Sequence, residues 1–487
     1  MNAKERMKIS PVDMPEQDPK ERVNNLNEVP LGYTPEMAML EAKRCIQCKT
    51  PFCIEGCPVG IDIPGFIKLI EEADFNGAVR KMKERNLLPA VCGRVCPQEE
   101  QCQLFCTIGK VRKDPCKSVM IGKLERFIAD WDREQGEFEQ PPSLRSSGKR
   151  VAIIGAGPAG LTVAGDLIKF GHEVIVFEAL HKAGGVLVYG IPEFRLPKKI
   201  VQYEVDYLEK IGVEFRYDHV IGKTIPVRQI IDDFDAVFIG TGAGLPRFMR
   251  VDGENLLGVL SANEYLTRAN LMKAYDFPET DTPIVNGKKV ITVGGGNVAM
   301  DCARTALRMG AERSLIVYRR AEEQMPARLE EIHHAKEEGV EFHLLQNPVS
   351  LVGDENGWIR GAEVIKMELG EPDSSGRRRP VPIEGSEFIE DTDALIVAIG
   401  NSPNPLVPNS FSDLEVTRWG GIVVNEVTGQ TSVPSVFAGG DIVLGAATVI
   451  LAMGHGRRAA RAMNLYLSSG RWVDLDSALD LCRAEVH

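Results

Sequence analysis

Lys149 to Ala179 reads KRVAIIGAGPAGLTVAGDLIKFGHEVIVFEA, and Lys288 to Arg320 reads KKVITVGGGNVAMDCARTALRMGAERSLIVYRR. Each stretch opens on a short apolar run suited to a buried strand, turns through glycines into an apolar helix, and returns as a second strand. That is the plan of a βαβ unit whose Gly-rich turn offers backbone N–H groups and a helix N-terminus to a pyrophosphate. In the first unit Gly155 makes the turn, Gly157 admits the pyrophosphate and Gly160 lets the helix approach the strand, with Pro158 and Ala159 between them. Glu178 ends the second strand, where a carboxylate accepts hydrogen bonds from ribose hydroxyls. In the second unit Gly294, Gly296 and Ala299 take the corresponding places around Asn297, but the closing strand ends in Arg319 and Arg320. A carboxylate there would repel a 2′-phosphate and an arginine pairs with it, so NADP(H) is expected over NAD(H). The plainer reading of both arginines is a solvated strand end.

The second unit is flanked by IGTGA (Ile239 to Ala243) and VAIGNSPN (Val397 to Asn404), each a strand closing on small residues. A nucleotide-binding domain inserted in another is therefore expected, with VFAGGD and the residues after it returning to complete the first. The expected fold class is α/β. Residues 1–145 form an α-helical domain and linker, with Gln135 to Gly148 as the linker. Residues 146–284 are expected to form the first part of the outer dinucleotide-binding domain, 285–397 the inserted NADP(H) domain, and 398–487 the remainder of the outer domain with a tail.

The 57 Lys+Arg against 69 Asp+Glu give a formal charge of −12 and argue against a broad nucleic-acid or anionic-membrane surface. No stretch approaches the roughly 18 apolar residues of a membrane span, and the charged amino terminus has no secretory pattern, so a cytoplasmic location is the default expectation. Eight of the eleven cysteines lie between Cys45 and Cys106. In a reducing compartment such a pile binds metal more readily than it forms disulfides. One group reads C-x2-C-x4-C-x3-C-P from Cys45 to Cys57, and the other holds Cys92, Cys96, Cys102 and Cys106. This thiolate-rich pattern fits 4Fe-4S clusters, with structural zinc as the alternative. A nicotinamide carries a hydride and a cluster carries single electrons, so a flavin is needed between them. Cys302 reads as a core thiol, and Cys116 and Cys482 have no evident partner. His333 and His334 read as surface residues of a charged helix.

From about Leu31 to Leu467 the succession RCIQC, PFCIEGCPV, GRVCPQEEQC, IGKLERF, IGAGPAGL, AGGVLVYGIPEFRLPK, GGGNVAMD, VYRR and VFAGGD resembles the small subunit of NADPH-dependent glutamate synthase. It is more similar still to the large subunit of the electron-bifurcating NADH-dependent reduced ferredoxin:NADP oxidoreductase. The amino-terminal part of dihydropyrimidine dehydrogenase is also similar. The resemblance implies a helical ferredoxin-like domain with two 4Fe-4S clusters ahead of a flavoprotein with two Rossmann-like folds. It implies that Cys45, Cys48, Cys53 and Cys106 hold one cluster, and Cys57, Cys96 and Cys102 the other, with Glu125 as fourth ligand and Cys92 as the competing candidate. It further implies that Glu178, Gly184, Gly185, Asp441, Ala447 and Thr448 serve the FAD, and that Arg195 is a cation close to the flavin unless it pairs with an acid such as Glu193.

The expected function is a subunit exchanging hydride between NADP(H) and FAD and passing single electrons through the clusters. Its expected partner is a ferredoxin-reductase-like FAD/2Fe-2S chain in a bifurcating transhydrogenase-like complex, with ferredoxin reached indirectly. A glutamate synthase large subunit is the alternative partner, and a metal-stapled adaptor the alternative from another class.

Overall fold

In the computed structural model, which describes residues 1–136, 145–285, 287–372, 377–470 and 472, both apolar runs become buried strands. β1 (Arg150–Ile154), β2 (Glu173–Phe177), β3 (Glu214–Arg216) and β4 (Ala236–Ile239) form one parallel sheet with the late strand β10 (Val436–Ala438), in the order β10-β4-β1-β2-β3. Its Val- and Ile-rich runs suit a sheet covered on both faces. Helix α6 (Pro158–Lys169) follows the first glycine turn, and helix α9 (Val449–Ser469) packs against it.

A second parallel sheet has the order β5-β9-β6-β7-β8, from β5 (Val259–Ser261), β6 (Lys289–Val293), β7 (Arg313–Tyr318), β8 (Glu341–Leu344) and β9 (Ala394–Val397). It lies between β4 and β10 in sequence, and the chain enters and leaves it where Leu245–Pro246 pairs antiparallel with Asn401–Ser402. The boundary expected at residue 285 is therefore too late. β5 pairs with β9 in the second sheet, and a three-residue strand bounded by turns leaves no apolar run to read. A four-stranded antiparallel sheet spanning residues 346–391 is attached to this second fold.

The amino-terminal third is helical. α1 (Pro35–Ala42) is capped as expected, Met37 N–H donating to Thr34 Oγ1, with proline at its first position. α2 (Ile63–Glu71) and α3 (Phe75–Lys83) are capped by Asp62 and Asp74. α4 (Pro89–Val95) and α5 (Ile121–Gln135) complete it. These helices share one continuous core with the first sheet and with α9, so the cysteine-rich part is not tethered loosely. Residues 137–144, most of the expected linker, and Cys482 lie outside the described residues.

The first 30 residues do more than the sequence suggests. Arg22 is buried, its guanidinium reaching Glu338 (2.9 Å) and Glu337 (2.8 Å) at the end of α8 (Leu329–Glu337). Glu338 also accepts from Arg304 (2.8 Å) and Arg308 (2.6 Å), both on α7 (Asn297–Arg308). His334, expected at the surface, is buried and lies 3.0 Å from Glu16, because the amino-terminal segment covers that side of α8; His333 is exposed. Buried ion pairs stabilise only while all members are present, and removing one leaves uncompensated charge in a poor solvent. Glu338→Gln, which leaves three guanidiniums facing each other, is expected to lower unfolding stability by about 3–5 kcal/mol in a denaturant titration. Glu337→Gln, at a third-exposed carboxylate, is expected to cost less than about 1 kcal/mol in the same experiment.

Candidate functional site

Cys45, Cys48, Cys53 and Cys106 line a single pocket with Phe52, Phe105 and Ile108. Gln47 has the positive φ (50°) that curls the Cys45–Cys48 loop, and its side chain donates to Pro64 O (3.1 Å). Burial pushes the Cys45 thiol up to about 11 and Cys53 up to about 12, with charges on the neighbouring cysteines adding to the effect. The other group is deeper. Cys92, Cys96, Cys102 and Glu125 are buried, Cys57 is nearly so, and Cys57, Cys96 and Cys102 each feel charge on Glu125. Burial lifts Cys57 to about 11 and Glu125 to about 8.

The sequence expectation that the cysteines interleave thus has a spatial counterpart, since Cys106 stands with the first three and Cys57 with the later ones. Each set is a knot of thiols whose ionised forms repel one another in a dry setting, so holding them together as thiolates requires a cationic centre. Sulfur-rich donor sets of this kind fit iron–sulfur clusters. Both Glu125 and Cys92 reach the inner set. Asn86, which sequence reading passed over, holds Glu125 through Nδ2–H to Oε1 (2.5 Å).

At the carboxyl edge of the first sheet the glycine turn has the expected constraints. Gly155 has φ +103°, and a Cβ on Gly160 would stand 2.0 Å from Gly155 O. Glu178 is buried and accepts from Ala156 N–H (2.8 Å) and Leu180 N–H (2.9 Å), which fixes the carboxylate beside the turn. The Gly184–Gly185 bend is tied to that turn by Gly184 N–H to Ala156 O (2.8 Å). Asp441 follows Gly440 (φ +76°), accepts from Ala447 N–H (3.3 Å), and is lifted by burial to about 7. Thr448 caps α9, and Gln101 of the cysteine-rich part donates to its hydroxyl (3.4 Å). Cys92 lies 3.5 Å from Met453 Sδ on the same helix. The fingerprint, Glu178, Asp441 and the start of α9 therefore gather at one sheet edge, with the inner thiol set behind that helix. A turn with open space at Gly157 and a fixed carboxylate fits an FAD pyrophosphate and ribose.

In the second unit Gly294 (φ +145°) packs where a Cβ would meet Ala398 O at 2.3 Å, Ala299 is buried, and Asn297 Oδ1 accepts from Arg328 N–H (3.0 Å). Arg319 is exposed and Arg320 half-buried, its Nε–H donating to Arg378 O (3.1 Å). That contact brings Arg377, Arg378 and Arg379 beside the strand end, making a basic patch. The arginine run was visible in the sequence, but its place beside the end of β7 depends on the antiparallel sheet.

Arg195 is buried and makes two bonds to Asp301 on α7 (2.8 and 2.7 Å), with Nε 2.9 Å from Glu331. Glu193 is instead turned to the N–H of Lys198 (3.2 and 3.1 Å). Burial alone would raise Glu331, but Arg195 and Arg304 bring it down to about 2. The cation expected near the flavin is thus neutralised by two carboxylates of the second fold and locks the Gly190–Pro197 loop to it.

Among the described residues no helix is long and apolar enough to cross a membrane. Residues 22–137 match the family described as dihydropyrimidine dehydrogenase domain II, 4Fe-4S cluster, and residues 149–460 match the pyridine nucleotide-disulphide oxidoreductase family. The chain is 38% identical over 455 residues to the glutamate synthase (NADPH) small chain of Escherichia coli, covering 92% of this chain and 95% of that one. It is 41% identical over 445 residues to the NADP(+)-dependent formate dehydrogenase subunit beta of Moorella thermoacetica, covering 86% and 60%. The structure of Mycobacterium tuberculosis FprA in complex with NADPH shares the fold, with a TM-score of 0.56 at 18% identity over 70% of this chain and 89% of that chain. A pure adaptor is set aside by the oxidoreductase family match across both dinucleotide folds. The chain is an NAD(P)H-dependent FAD/iron–sulfur oxidoreductase and belongs to the family of the NADPH glutamate synthase small chain.

Proposed function

We propose that this chain is the NADPH-linked electron-transfer subunit of a larger complex, with NADP(H) at the second fold and FAD at the first. The observation that carries this reading is that α9 packs on Cys92 and on Pro58, next to the inner thiol set, while its N-terminus lies beside Asp441 at the edge of the first sheet. The bound FAD would supply the exchange between a two-electron hydride carrier and one-electron centres. Gly155, Gly157, Pro158, Ala159 and Gly160 hold its pyrophosphate, Glu178 its ribose, and Asp441 with Ala447 and Thr448 the rest of its length. Cys57, Cys96, Cys102 and Glu125 form the inner cluster site and Cys45, Cys48, Cys53 and Cys106 the outer one. Gly294, Gly296, Asn297 and Ala299 cradle NADP(H), and Arg319 and Arg320 recognise its 2′-phosphate.

The near full-length likeness to a glutamate synthase small chain favours that kind of complex. The bifurcating transhydrogenase-like complex is the second reading, favoured by PQEEQC and IGKLERF in the sequence. The co-purifying chain separates them: a glutaminase/FMN-barrel protein for the first, a ferredoxin-reductase-like FAD/2Fe-2S protein for the second.

The outer site supports a partner. Phe52, Leu104, Phe105 and Val111 are exposed around it, and Lys110 Nζ lies 5.1 Å from the ring centroids of both Phe52 and Phe105. Lys43, Lys49, Arg112, Lys113 and Lys117 are exposed on the same stretches of a chain whose net charge is −12. An apolar patch with a basic rim fits an acidic face on the partner.

Anaerobic NADPH titration is expected to bleach both flavin and cluster absorbance. Arg319→Ala/Arg320→Ala should raise the KM for NADPH by at least about tenfold while leaving that for NADH within about twofold, as expected from losing a charge-assisted phosphate pair. Equal effects on both nucleotides would sink the NADP(H) assignment. In EPR of the reduced protein, Glu125→Ala is expected to alter one of two cluster signals and Cys92→Ala to alter neither. The reverse pattern would give the fourth position to Cys92. Lys110→Glu/Lys113→Glu is expected to weaken capture of the co-purifying subunit by on the order of tenfold at low salt, an effect that fades as ionic strength rises.

A further inference from the structure

The inner site brings five candidate donors to a place where a 4Fe-4S cluster takes four. Something must decide between Glu125 and Cys92, and one side chain touches both. Asn86 follows α3, is fully buried, and its backbone N–H donates to Met82 O (2.9 Å). Its Oδ1 accepts from Leu88 N–H (2.9 Å). That backbone donor fixes the orientation of the amide, because the opposite orientation would set two donors against each other. The NH2 end is thereby forced toward Glu125 Oε1 at 2.5 Å, while Oδ1 also faces the Cys92 thiol at 3.8 Å.

The two donors are held differently. Glu125 is held by one oxygen alone, since among the described residues Oε2 has no hydrogen-bond partner in a carboxylate that is 95% buried. Cys92 is engaged on two sides, its Sγ–H facing Asn86 Oδ1 and, at 3.5 Å, Met453 Sδ on α9. A sulfur that stands between Asn86 Oδ1 on one side and Met453 Sδ on the other is restrained in place. A carboxylate tethered through one oxygen presents the other in a fixed direction.

We propose that Asn86 is the positioning residue that assigns the fourth ligand of the inner cluster, aiming Glu125 Oε2 into the site and keeping Cys92 out of it. The proposal rests on the reading of Glu125 as a ligand, and no sequence motif marks Asn86. Cys92 also lies beside Cys96, so releasing it from Asn86 places a free thiol within reach of the same cluster.

The test is EPR of the anaerobically purified, dithionite-reduced full chain, with iron and flavin content as the check on folding. Asn86→Ala is expected to lose the parental signal of the inner cluster, gain one of all-thiolate character, and leave the outer signal unchanged. The double variant Asn86→Ala/Cys92→Ala is expected to regain the parental type of signal, because only Glu125 is left to bind. Asn86→Asp keeps the acceptor for Leu88 and Cys92 but loses the donor to Glu125. It should shift the inner g-values without all-thiolate character, and it serves if the alanine variant loses its iron. A parental spectrum in both Asn86 variants would overturn the proposal, as would the same altered spectrum in Asn86→Ala and its Cys92→Ala double. If Cys92→Ala alone abolishes the inner signal, the Glu125 assignment itself fails, which is a different outcome.

Discussion

Two glycines on one helix set the distance on which the proposed function depends. A Cβ on Gly454 of α9 would stand 2.7 Å from Pro58 O, directly after Cys57, and a Cβ on Gly456 would stand 2.6 Å from Ala159 O in the first fingerprint. No larger residue permits either approach without moving a backbone, so α9 is pressed against the loop after Cys57 and the first glycine turn at once. The helix belongs to the last described segment of the chain, whereas its two neighbours come from the cysteine-rich part and the first βαβ unit. Returning to the first sheet through β10 therefore does more than complete that sheet. It carries in the helix that joins the cysteine-rich part to the first βαβ unit through a shared core.

Charge plays the corresponding part on the other side. Arg22 from the amino-terminal segment, Arg195 from the loop after Gly190, and Arg304, Arg308, Asp301, Glu331 and Glu338 from the second fold form one buried set of ion pairs. Packing alone leaves the second fold connected to the first by the antiparallel ribbon and neighbouring contacts, and the ionic set adds a directional joint. Such pairs give little net stability relative to apolar packing, but an arrangement that separates one leaves uncompensated buried charge. The joint ties helices α7 and α8 of the second fold to the loop bearing Arg195, beside the apolar contact that Leu271 makes with the first core.

Local features were legible in the sequence because local chemistry decides them. The two glycine fingerprints and the cap at Thr34 follow from residues close in the chain, whereas the crossing of Cys106 to the first cysteines and of Cys57 to the later ones does not and was implied only by the family resemblance. What required the structure depends on contacts between distant segments. β5 is three residues long and owes its sheet to β9. His334 is buried by a segment more than three hundred residues earlier. Arg195 finds Asp301 and Glu331 in place of the nearby Glu193, since two carboxylates converging from buried helices outcompete a neighbour that faces its own loop. Asn86 carries no pattern at all, and its meaning comes from α5 and α9 meeting beside it.

The two thiol sets also differ in how readily they tolerate negative charge. Cys96, Cys102 and Glu125 are at most 8% exposed, while the outer four are all half-buried and open toward Lys49 and Lys110. Lost hydration opposes negative charge at both sets, raising the outer Cys45 and Cys53 as well as the inner Cys57, and the more deeply buried Cys96 and Cys102 are raised well above the usual thiol value. On the proposed ligation, the protein environment therefore favours negative charge at the outer site over the inner one. A hard carboxylate among the inner donors acts in the same direction by placing more localised negative charge there than a fourth thiolate would. On that ligation the difference in burial runs from α9 outward to the exposed rim at Phe52 and Phe105, over which Lys110 sits.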